Sequence, residues 1–244
     1  MIEKQWFSSW FDTPYYYILY KNRSEKEAKT FIKALTNYLQ LPNTSKVLDL
    51  ACGKGRHSMT LYELGYDVIG ADLSVNSILE AKKLETDRLK FLVHDIREVI
   101  PNQSFDAVFN LFTSFGYFDS TLDYEKVLRS IHYMLHSNGL LVIDFLNASK
   151  VIDELVESET KNIDGIEFAI RRSFDGTHIF KFIDFDTNGE HFSFMERVQG
   201  LDISDFRRLF SRTGFELICT FGDFDLNPFE AQKSSRLIMI AQKI

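Results

Sequence analysis

A short turn with two glycines is the feature of this sequence best suited to hold a nucleotide-like ligand. The apolar run 47–50 ends in Ala51-Cys52-Gly53-Lys54-Gly55, and residues with helical periodicity follow. Glycine has no side chain, so the backbone at Gly53 and Gly55 can adopt conformations closed to other residues and approach a ligand closely. In open α/β sheets, a turn of this kind between a strand and the next helix is a typical nucleotide site.

Four polar side chains stand at the carboxyl ends of successive apolar runs that have the pattern of strands. They are Asp49, Asp72, Asp95 and Asn110. Because parallel strands end at the same edge of a sheet, chain order would bring these side chains to one rim, although each alone is also a common turn residue. At that rim Asp72 could accept hydrogen bonds from two ribose hydroxyls. Asp95 could accept one from the exocyclic amine of adenine, and Asp49 would favour a cationic ligand.

A dinucleotide cofactor is the main competing ligand for such a turn. Its usual sequence pattern has a third glycine three residues after the second, where this chain has Ser58. A diphosphate would also be repelled by Asp49 beside the turn. Both observations favour a ligand that has a nucleoside but no phosphate groups.

These residues need a scaffold in which strands and helices alternate. Strand-like runs at 46–50, 68–72, 89–93, 105–110 and 140–145 are separated by segments with helical periodicity, and strands at 215–221 and 236–242 follow a last helix near 203–212. The pattern predicts a doubly wound sheet of seven strands between two layers of helices, in one domain over residues 1–244.

Two segments do not belong to this alternation. Three strand-like runs separated by Asp175-Gly176 and Asn188-Gly189, which are strong hairpin signals, predict an inserted antiparallel β meander over residues 163–200. This insertion could cap a pocket or pair with a second copy to form a homodimer. Residues 1–42 combine an aromatic-rich stretch, which includes both tryptophans, with a helix that the Ser24–Glu27 capping pattern would start. The aromatic stretch could pack on the core or form a lid over a small-molecule pocket.

Composition narrows the class of protein. The net charge of −7 disfavours nucleic acid as a partner, because such partners are bound mainly through cationic side chains. The chain shows neither a secretory signal pattern nor a run long enough to cross a membrane. The two cysteines are too few for a disulfide framework, and histidine and cysteine do not occur at the spacing of metal ligands. We therefore expect a cytoplasmic protein without a metal site.

The runs VLDLACGKG, VIGADLS, VHDIRE, FDAVFNLFTSFGYF and LLVIDFLN follow one another in the chain. In this order they resemble the class I S-adenosylmethionine-dependent methyltransferase family over residues 43–147. The last helix and two strands are similar to the end of that family's fold. The resemblance implies a Rossmann-like sheet whose seventh strand is antiparallel and S-adenosyl-L-methionine (SAM) as cofactor. One departure is Ala51, where the family usually has glycine.

The resemblance also implies cofactor contacts along the strand ends. Contacts with the methionine part fall on Asp49, Ala51, Gly53 and Gly55, with Arg56 and His57 next to them. Contacts with the ribose fall on Asp72, Leu73 and Ser74, those with the adenine on Asp95 and Ile96, and those near the sulfur on Asn110 and Leu111.

The implied reaction moves the sulfonium methyl group to a nitrogen, oxygen or carbon atom of a small-molecule acceptor. Eight residues could face this acceptor, although packing explains each of them equally well. They are Tyr16, Tyr17, Tyr20, Arg23, Phe115, Tyr117, Asn147 and Arg171. No catalytic base is identified. Two alternatives stay open: a protein that binds SAM without transferring its methyl group, and an RNA (tRNA) methyltransferase, which the net charge disfavours.

Overall fold

The computed structural model describes residues 10–21, 25–118 and 120–244. The helices within these ranges are α1 (Pro14–Leu19), α2 (Glu25–Leu39), α3 (Arg56–Glu63), α4 (Val75–Ala81), α5 (Thr121–Met134), α6 (Ala148–Asp153) and α7 (Ile203–Thr213). The strands are β1 (Lys46–Leu50), β2 (Asp67–Asp72), β3 (Leu89–Val93), β4 (Phe105–Asn110), β5 (Leu135–Leu146), β6 (Ser158–Ile163), β7 (Ile166–Phe174), β8 (His178–Thr187), β9 (Glu190–Gln199), β10 (Phe215–Phe221) and β11 (Arg236–Lys243).

The main sheet has seven strands in the order β10-β11-β5-β4-β1-β2-β3. Strands β1 to β5 pair in parallel, whereas β11 lies antiparallel to both β5 and β10. This topology confirms the predicted doubly wound α/β fold with an antiparallel seventh strand. The carboxyl ends of β1 to β4 consequently meet at one edge of the sheet.

Helices cover both faces of the main sheet because its strand residues alternate between two buried clusters. Val47 of β1 belongs to the same cluster as Phe31 of α2. Its neighbour Leu48 belongs to the opposite cluster, which contains Leu128 of α5 and Phe206 of α7. All five side chains are fully buried. The three-layer arrangement holds the edge with the strand ends rigidly between two packed cores.

A second sheet of four antiparallel strands, β6 to β9, follows α6. It has one strand more than the predicted meander over 163–200, since β6 was not expected from its polar sequence. The turn between β6 and β7 places Asp164 and Gly165 at φ 53° and 80°. Asn188 and Gly189 have positive φ as predicted for a tight hairpin turn.

The Asp175-Gly176 turn differs from the expected hairpin geometry. Only Gly176 has a positive φ, because the Asp175 carboxylate instead accepts hydrogen bonds from the backbone N–H groups of Thr177 and His178, at 2.8 and 2.7 Å. Asx turns of this kind are a common alternative to a hairpin turn with two positive φ angles.

Residues 10–21, hereafter the N-terminal segment, pack against the second sheet. Trp10 and Leu19 are buried in a cluster with Phe168, Ile183 and Phe185. Trp6 and the predicted Ser24 cap lie outside the described residues. Within the described ranges, no helix is long and apolar enough to cross a membrane.

Candidate active site

The turn after β1 is built from left-handed backbone conformations. Ala51, Gly53 and Gly55 have φ values of 65°, 55° and 82°. The N–H groups of Ala51 and Cys52 both donate to the Ala71 carbonyl, at 2.7 and 3.0 Å, which fixes the turn against β2. A left-handed φ is unfavourable for residues with a Cβ, so alanine at position 51 carries strain that glycine would not.

The two glycines of the turn have different surroundings. A Cβ at Gly55 would lie 2.6 Å from the Phe91 ring, whereas a Cβ at Gly53 would meet nothing within 4 Å. Gly55 therefore allows close packing between the turn and β3. Gly53 leaves open space in front of the turn, where a ligand can approach the backbone.

Asp49 lies beneath the turn and is fully buried. Its carboxylate accepts a hydrogen bond of 2.6 Å from the Ser58 hydroxyl, so Ser58, which stands where a dinucleotide fold would have glycine, has a structural partner. Burial raises the pKa of Asp49 to about 6, and the nearby Asp72 carboxylate acts in the same direction. Asp49 can thus act on a ligand through its charge rather than by contact.

Asp72 stands at the end of β2 with its carboxylate oriented by two backbone groups. One oxygen accepts from the Gly53 N–H at 2.7 Å and the other from the Ser74 N–H at 2.8 Å. An ionised carboxylate can accept about four hydrogen bonds, so lone pairs remain for ligand hydroxyls. Burial raises the pKa of Asp72, and hydrogen bonds from the backbone of Ser74, Gly53 and Leu73 oppose this rise.

Asp95, after β3, has a partner that sequence reasoning missed. The Arg97 guanidinium donates to both carboxylate oxygens, at 3.0 and 2.6 Å, and the Arg97 backbone N–H donates at 2.9 Å. Burial acts to raise the pKa of Asp95, but these hydrogen bonds and the charge of Arg97 outweigh it and the pKa is lowered. The carboxylate is therefore ionised, and an adenine amine would share it with Arg97.

Asn110, at the end of β4, makes a hydrogen bond within the fold. Its side-chain amide donates to the Leu50 carbonyl at 2.9 Å and is buried. Its Oδ1 atom has no hydrogen-bond partner among the described residues. Asn110 thus links the ends of β1 and β4 beneath the rim.

The loop after β4 presents Phe112 in a strained conformation. Phe112 and Thr113 have φ values of 57° and 62°. The buried Asp144 carboxylate accepts from the Phe112 N–H at 2.8 Å and from Arg236 at 2.7 Å, and Arg236 also donates to the Thr113 hydroxyl at 2.9 Å. The Phe112 ring stacks on His57 with 5.0 Å between the ring centroids. The ion pair between buried Asp144 and partly exposed Arg236 thus maintains backbone strain at this wall.

A cavity of about 480 Å³ lies above the turn and the strand ends. The predicted cofactor residues that line it are Ala51, Gly53, Arg56, His57, Asp72, Leu73, Ser74, Asp95, Ile96 and Leu111. The predicted acceptor-facing residues that line it are Tyr16, Tyr17, Tyr20 and Tyr117. Lining residues that were not predicted are Phe11, Lys21, Cys52, Lys54, Ser77, Arg97, Phe112, Ser114 and Phe118. Several of these residues are adjacent in the sequence to a predicted site residue, and this adjacency was the available sequence signal for their place in the cavity wall.

Six of the predicted site residues that the structure describes are not part of this cavity. Asp49, Gly55 and Asn110 lie under it, in the positions described above. Phe115 is instead fully buried against Tyr124 and Phe206. Asn147 donates to the carbonyls of Ala231 and Ser234, and Arg171 points to solvent beside Asp184. Arg23 lies outside the described residues. The positions of Phe115, Asn147 and Arg171 therefore do not support the acceptor-facing role expected for them.

The comparison with known families identifies the class of protein. Residues 42–214 match the family described as "Methyltransferase domain". The chain belongs to the class I SAM-dependent methyltransferase family. A glycine/sarcosine N-methyltransferase of Aphanothece halophytica is 32% identical over 210 residues, which cover 83% of this chain and 76% of that protein. SAM is therefore the cofactor, as predicted.

Solved structures show the same fold. An SAM-dependent methyltransferase from Clostridium acetobutylicum superimposes with a TM-score of 0.80 at 16% identity and covers 94% of this chain and 96% of its own. A SAM-bound amino pentose methyltransferase from Micromonospora echinaspora gives a TM-score of 0.72 at 17% identity, with 95% and 98% covered. Among the described residues of this methyltransferase, no group of three or more histidine, cysteine, aspartate or glutamate side chains could hold a metal ion.

The Asp72 geometry generates a first prediction. If its free lone pairs accept the ribose hydroxyls, as we propose, Asp72→Asn should weaken SAM binding by about 1–3 kcal/mol, since hydrogen bonds to a charged group are lost. Isothermal titration calorimetry with SAM measures this change. Asp67→Asn, at the opposite end of the same strand, should bind like the wild type. An unchanged affinity in folded Asp72→Asn would contradict the ribose assignment.

A matched pair of glycine variants distinguishes the space in front of Gly53, which a ligand could fill, from the space at Gly55, which the Phe91 ring fills. Both glycines have positive φ, so alanine adds about 1–2 kcal/mol of backbone strain at either position. Gly55→Ala should lower the free energy of unfolding further because of the contact with Phe91, and Gly53→Ala should instead weaken SAM binding by about 1–3 kcal/mol. Urea unfolding and calorimetry measure the two effects. Gly53→Ala with wild-type SAM affinity would show that the open space is not used.

The raised pKa of Asp49 predicts a pH dependence of SAM binding. Below about pH 6 the buried carboxyl of the free protein is protonated, whereas a cationic ligand above the turn favours the ionised form and so requires proton release. The affinity for SAM should therefore rise as the pH is raised from about 5 to about 7. Calorimetric titrations across this range should show the rise in the wild type and a smaller one in Asp49→Asn. Identical pH profiles would exclude this coupling.

Proposed function

We propose that this methyltransferase transfers the methyl group of SAM to a nitrogen atom of a small molecule. This proposal rests on one observation: a single cavity has strand-end carboxylates on one side and tyrosine rings on the other. Its volume of about 480 Å³ falls within the usual range of small-molecule sites. Aromatic rings suit an amine because they stabilise the positive charge that develops as the amine is methylated. The similar protein from Aphanothece halophytica is an N-methyltransferase, which favours nitrogen over oxygen or carbon.

We assign the cofactor to the side of the cavity with the strand ends. In this assignment the backbone at Ala51 and Gly53 faces the methionine part, and Asp72 holds the ribose. Asp95, with the backbone of Ile96, faces the adenine ring. The open space in front of Gly53 and the oriented Asp72 carboxylate both fit a nucleoside without phosphate groups. Arg56, His57, Leu73, Ser74 and Leu111 complete this side.

SAM supplies an activated sulfonium methyl group when it is bound, so the chain has mainly to orient the acceptor and exclude water. Tyr16, Tyr20 and Tyr117 provide an apolar wall for this purpose. Burial raises the pKa of Tyr17 to about 12, so its phenol stays protonated and is a poor candidate for a general base. Burial lowers the pKa of His57 to about 3, which makes it a weak base. We infer that the amine is deprotonated before it enters the cavity and that the rate rises with pH up to the acceptor's own pKa.

We also propose a small-molecule acceptor, a cytoplasmic location and a homodimer. The net charge of −7 supports a small-molecule acceptor over RNA. Two free cysteines suit a cytoplasmic protein. A homodimer through the second sheet is supported by its outer face, where the Phe180 and Phe182 rings stack at 6.1 Å and are partly exposed.

An acceptor panel tests the proposed reaction. The purified protein would be incubated with SAM and either small primary and secondary amines, amino acids and amino sugars included, or bulk tRNA, and mass spectrometry would detect S-adenosylhomocysteine and the methylated product. We expect turnover with a small amine, faster at higher pH, and none with tRNA. The Asp72→Asn variant controls for cofactor-dependent turnover.

Each other result rejects part of the proposal. Methylated tRNA would contradict the small-molecule acceptor, and a methylated phenol or carbon acid would contradict nitrogen. Tight SAM binding without turnover in either arm would favour a protein that binds the cofactor without catalysis.

A further inference from the structure

Glu196 on β9 is a charged residue outside the cavity that contacts its wall. It lies directly opposite Lys181 of β8 in the register of the second sheet. Both side chains are only 15% exposed, and the Lys181 ammonium is 3.7 Å from the Glu196 carboxylate. Opposite charges at facing positions of antiparallel strands stabilise each other. The carboxylate is therefore held in place on the side of the sheet that faces the N-terminal segment.

The Glu196 carboxylate accepts hydrogen bonds from both ends of the N-terminal segment. The Trp10 indole N–H donates to it at 2.7 Å, and the Tyr20 hydroxyl donates at 2.7 Å. The Lys181 ammonium in turn donates to the Tyr20 hydroxyl. Hydrogen bonds to a charged group in a partly buried site are stronger than those between neutral groups.

Between these two attachments the segment forms the short helix α1. A helix of six residues is not stable by itself, so its position depends on the contacts at its ends. The Trp10 ring supports this arrangement, since it is fully buried against Phe194 with 4.6 Å between ring centroids. Tyr16 and Tyr20 thereby present their rings to the cavity.

The opposite side of the segment contacts the start of α4, next to Asp72. Asp12 accepts hydrogen bonds from the side chains of Ser74 and Asn76, and the Tyr17 hydroxyl pairs with the Ser77 hydroxyl at 2.7 Å. The segment consequently bridges the second sheet and the part of the main domain that we assign to the ribose. Phe11, Tyr16, Tyr17 and Tyr20 from this bridge all line the cavity.

We propose that Glu196 is a positioning residue that holds residues 10–21 closed over the SAM cavity and thereby limits the rate at which SAM leaves. Removal of the carboxylate leaves the Trp10 N–H without its acceptor and removes the hydrogen bond from the Tyr20 hydroxyl, so the closed arrangement loses these two attachments to the second sheet. The contacts of Asp12 and Tyr17 with α4 remain, so the segment loosens at one side only. This gives the second sheet a role in cofactor exchange.

Measurement of SAM release tests this role. The loss of hydrogen bonds to a charged group corresponds to about a ten- to hundredfold change in an equilibrium constant. Glu196→Ala should release radiolabelled SAM about ten- to hundredfold faster after rapid dilution into unlabelled SAM. Hydrogen–deuterium exchange should become faster in residues 10–21 and stay unchanged in β1 to β5. Glu196→Gln keeps an acceptor oxygen and the side-chain size, so it should show a smaller effect, and it tests the proposal even where the alanine variant fails to fold.

Glu190→Ala is the matched control, because Glu190 is exposed on the same strand. It should release SAM like the wild type. Wild-type release from both Glu196 variants would overturn the proposal, as would faster exchange throughout β1 to β5. The experiment uses SAM alone, so failure of the acceptor panel does not affect it.

Discussion

The carboxylate of Asp72 is the group on which the arrangement of the site depends. It stands at the end of β2 and accepts one N–H from the turn after β1 and one from the start of α4. Burial of a carboxylate is unfavourable unless it is hydrogen-bonded, and here the two bonds come from backbone groups that also need partners. The turn after β1, the end of β2 and the start of α4 are therefore joined at this carboxylate. The carboxylate is oriented without a ligand, which would lower the entropic cost of binding SAM in the arrangement that we propose.

The charge arrangement around Asp72 explains why the turn suits SAM in the arrangement that we propose. Asp49 lies beneath the turn, so two carboxylates would face a ligand there, one from below and one from the strand end. Their mutual repulsion disfavours the ionised form of Asp49 until a cation reduces it. A cationic ligand is thereby favoured over a diphosphate. Ser58 also contributes to this arrangement, because its hydroxyl donates a hydrogen bond to the buried Asp49 carboxylate. A third glycine at position 58 would leave the carboxylate without that hydrogen bond.

Sequence reasoning located the seven strands of the main sheet and the turn because both depend on local patterns, although β5 begins at Leu135, before the predicted 140–145. The apolar runs, the glycines and the polar strand ends are readable within a few residues, and the family resemblance rests on the same stretches. The failures concern contacts across long sequence distances. Asn147 resembles a strand-end ligand, but its amide is used by carbonyls 84 and 87 residues later. The loop 111–118 contains several aromatic residues without periodicity, so nothing local distinguishes buried Phe115 from Phe112 at the cavity. Strand β6 is polar, and its only signal was the Asp164-Gly165 turn.

The two walls of the cavity are held by different interactions, and this difference determines which of them can move. The Phe112 wall depends on the Asp144 carboxylate, which is 0% exposed and is paired with Arg236, itself 19% exposed. Opening this wall would leave a fully buried carboxylate without its partner, which is strongly unfavourable. The opposite wall depends on the Glu196 carboxylate, which is 15% exposed, so water can replace part of its contacts. Its helix has only six residues and adds little stability of its own. The strained wall therefore stays fixed while ligands exchange, and the N-terminal segment is the part of the described structure best suited to open.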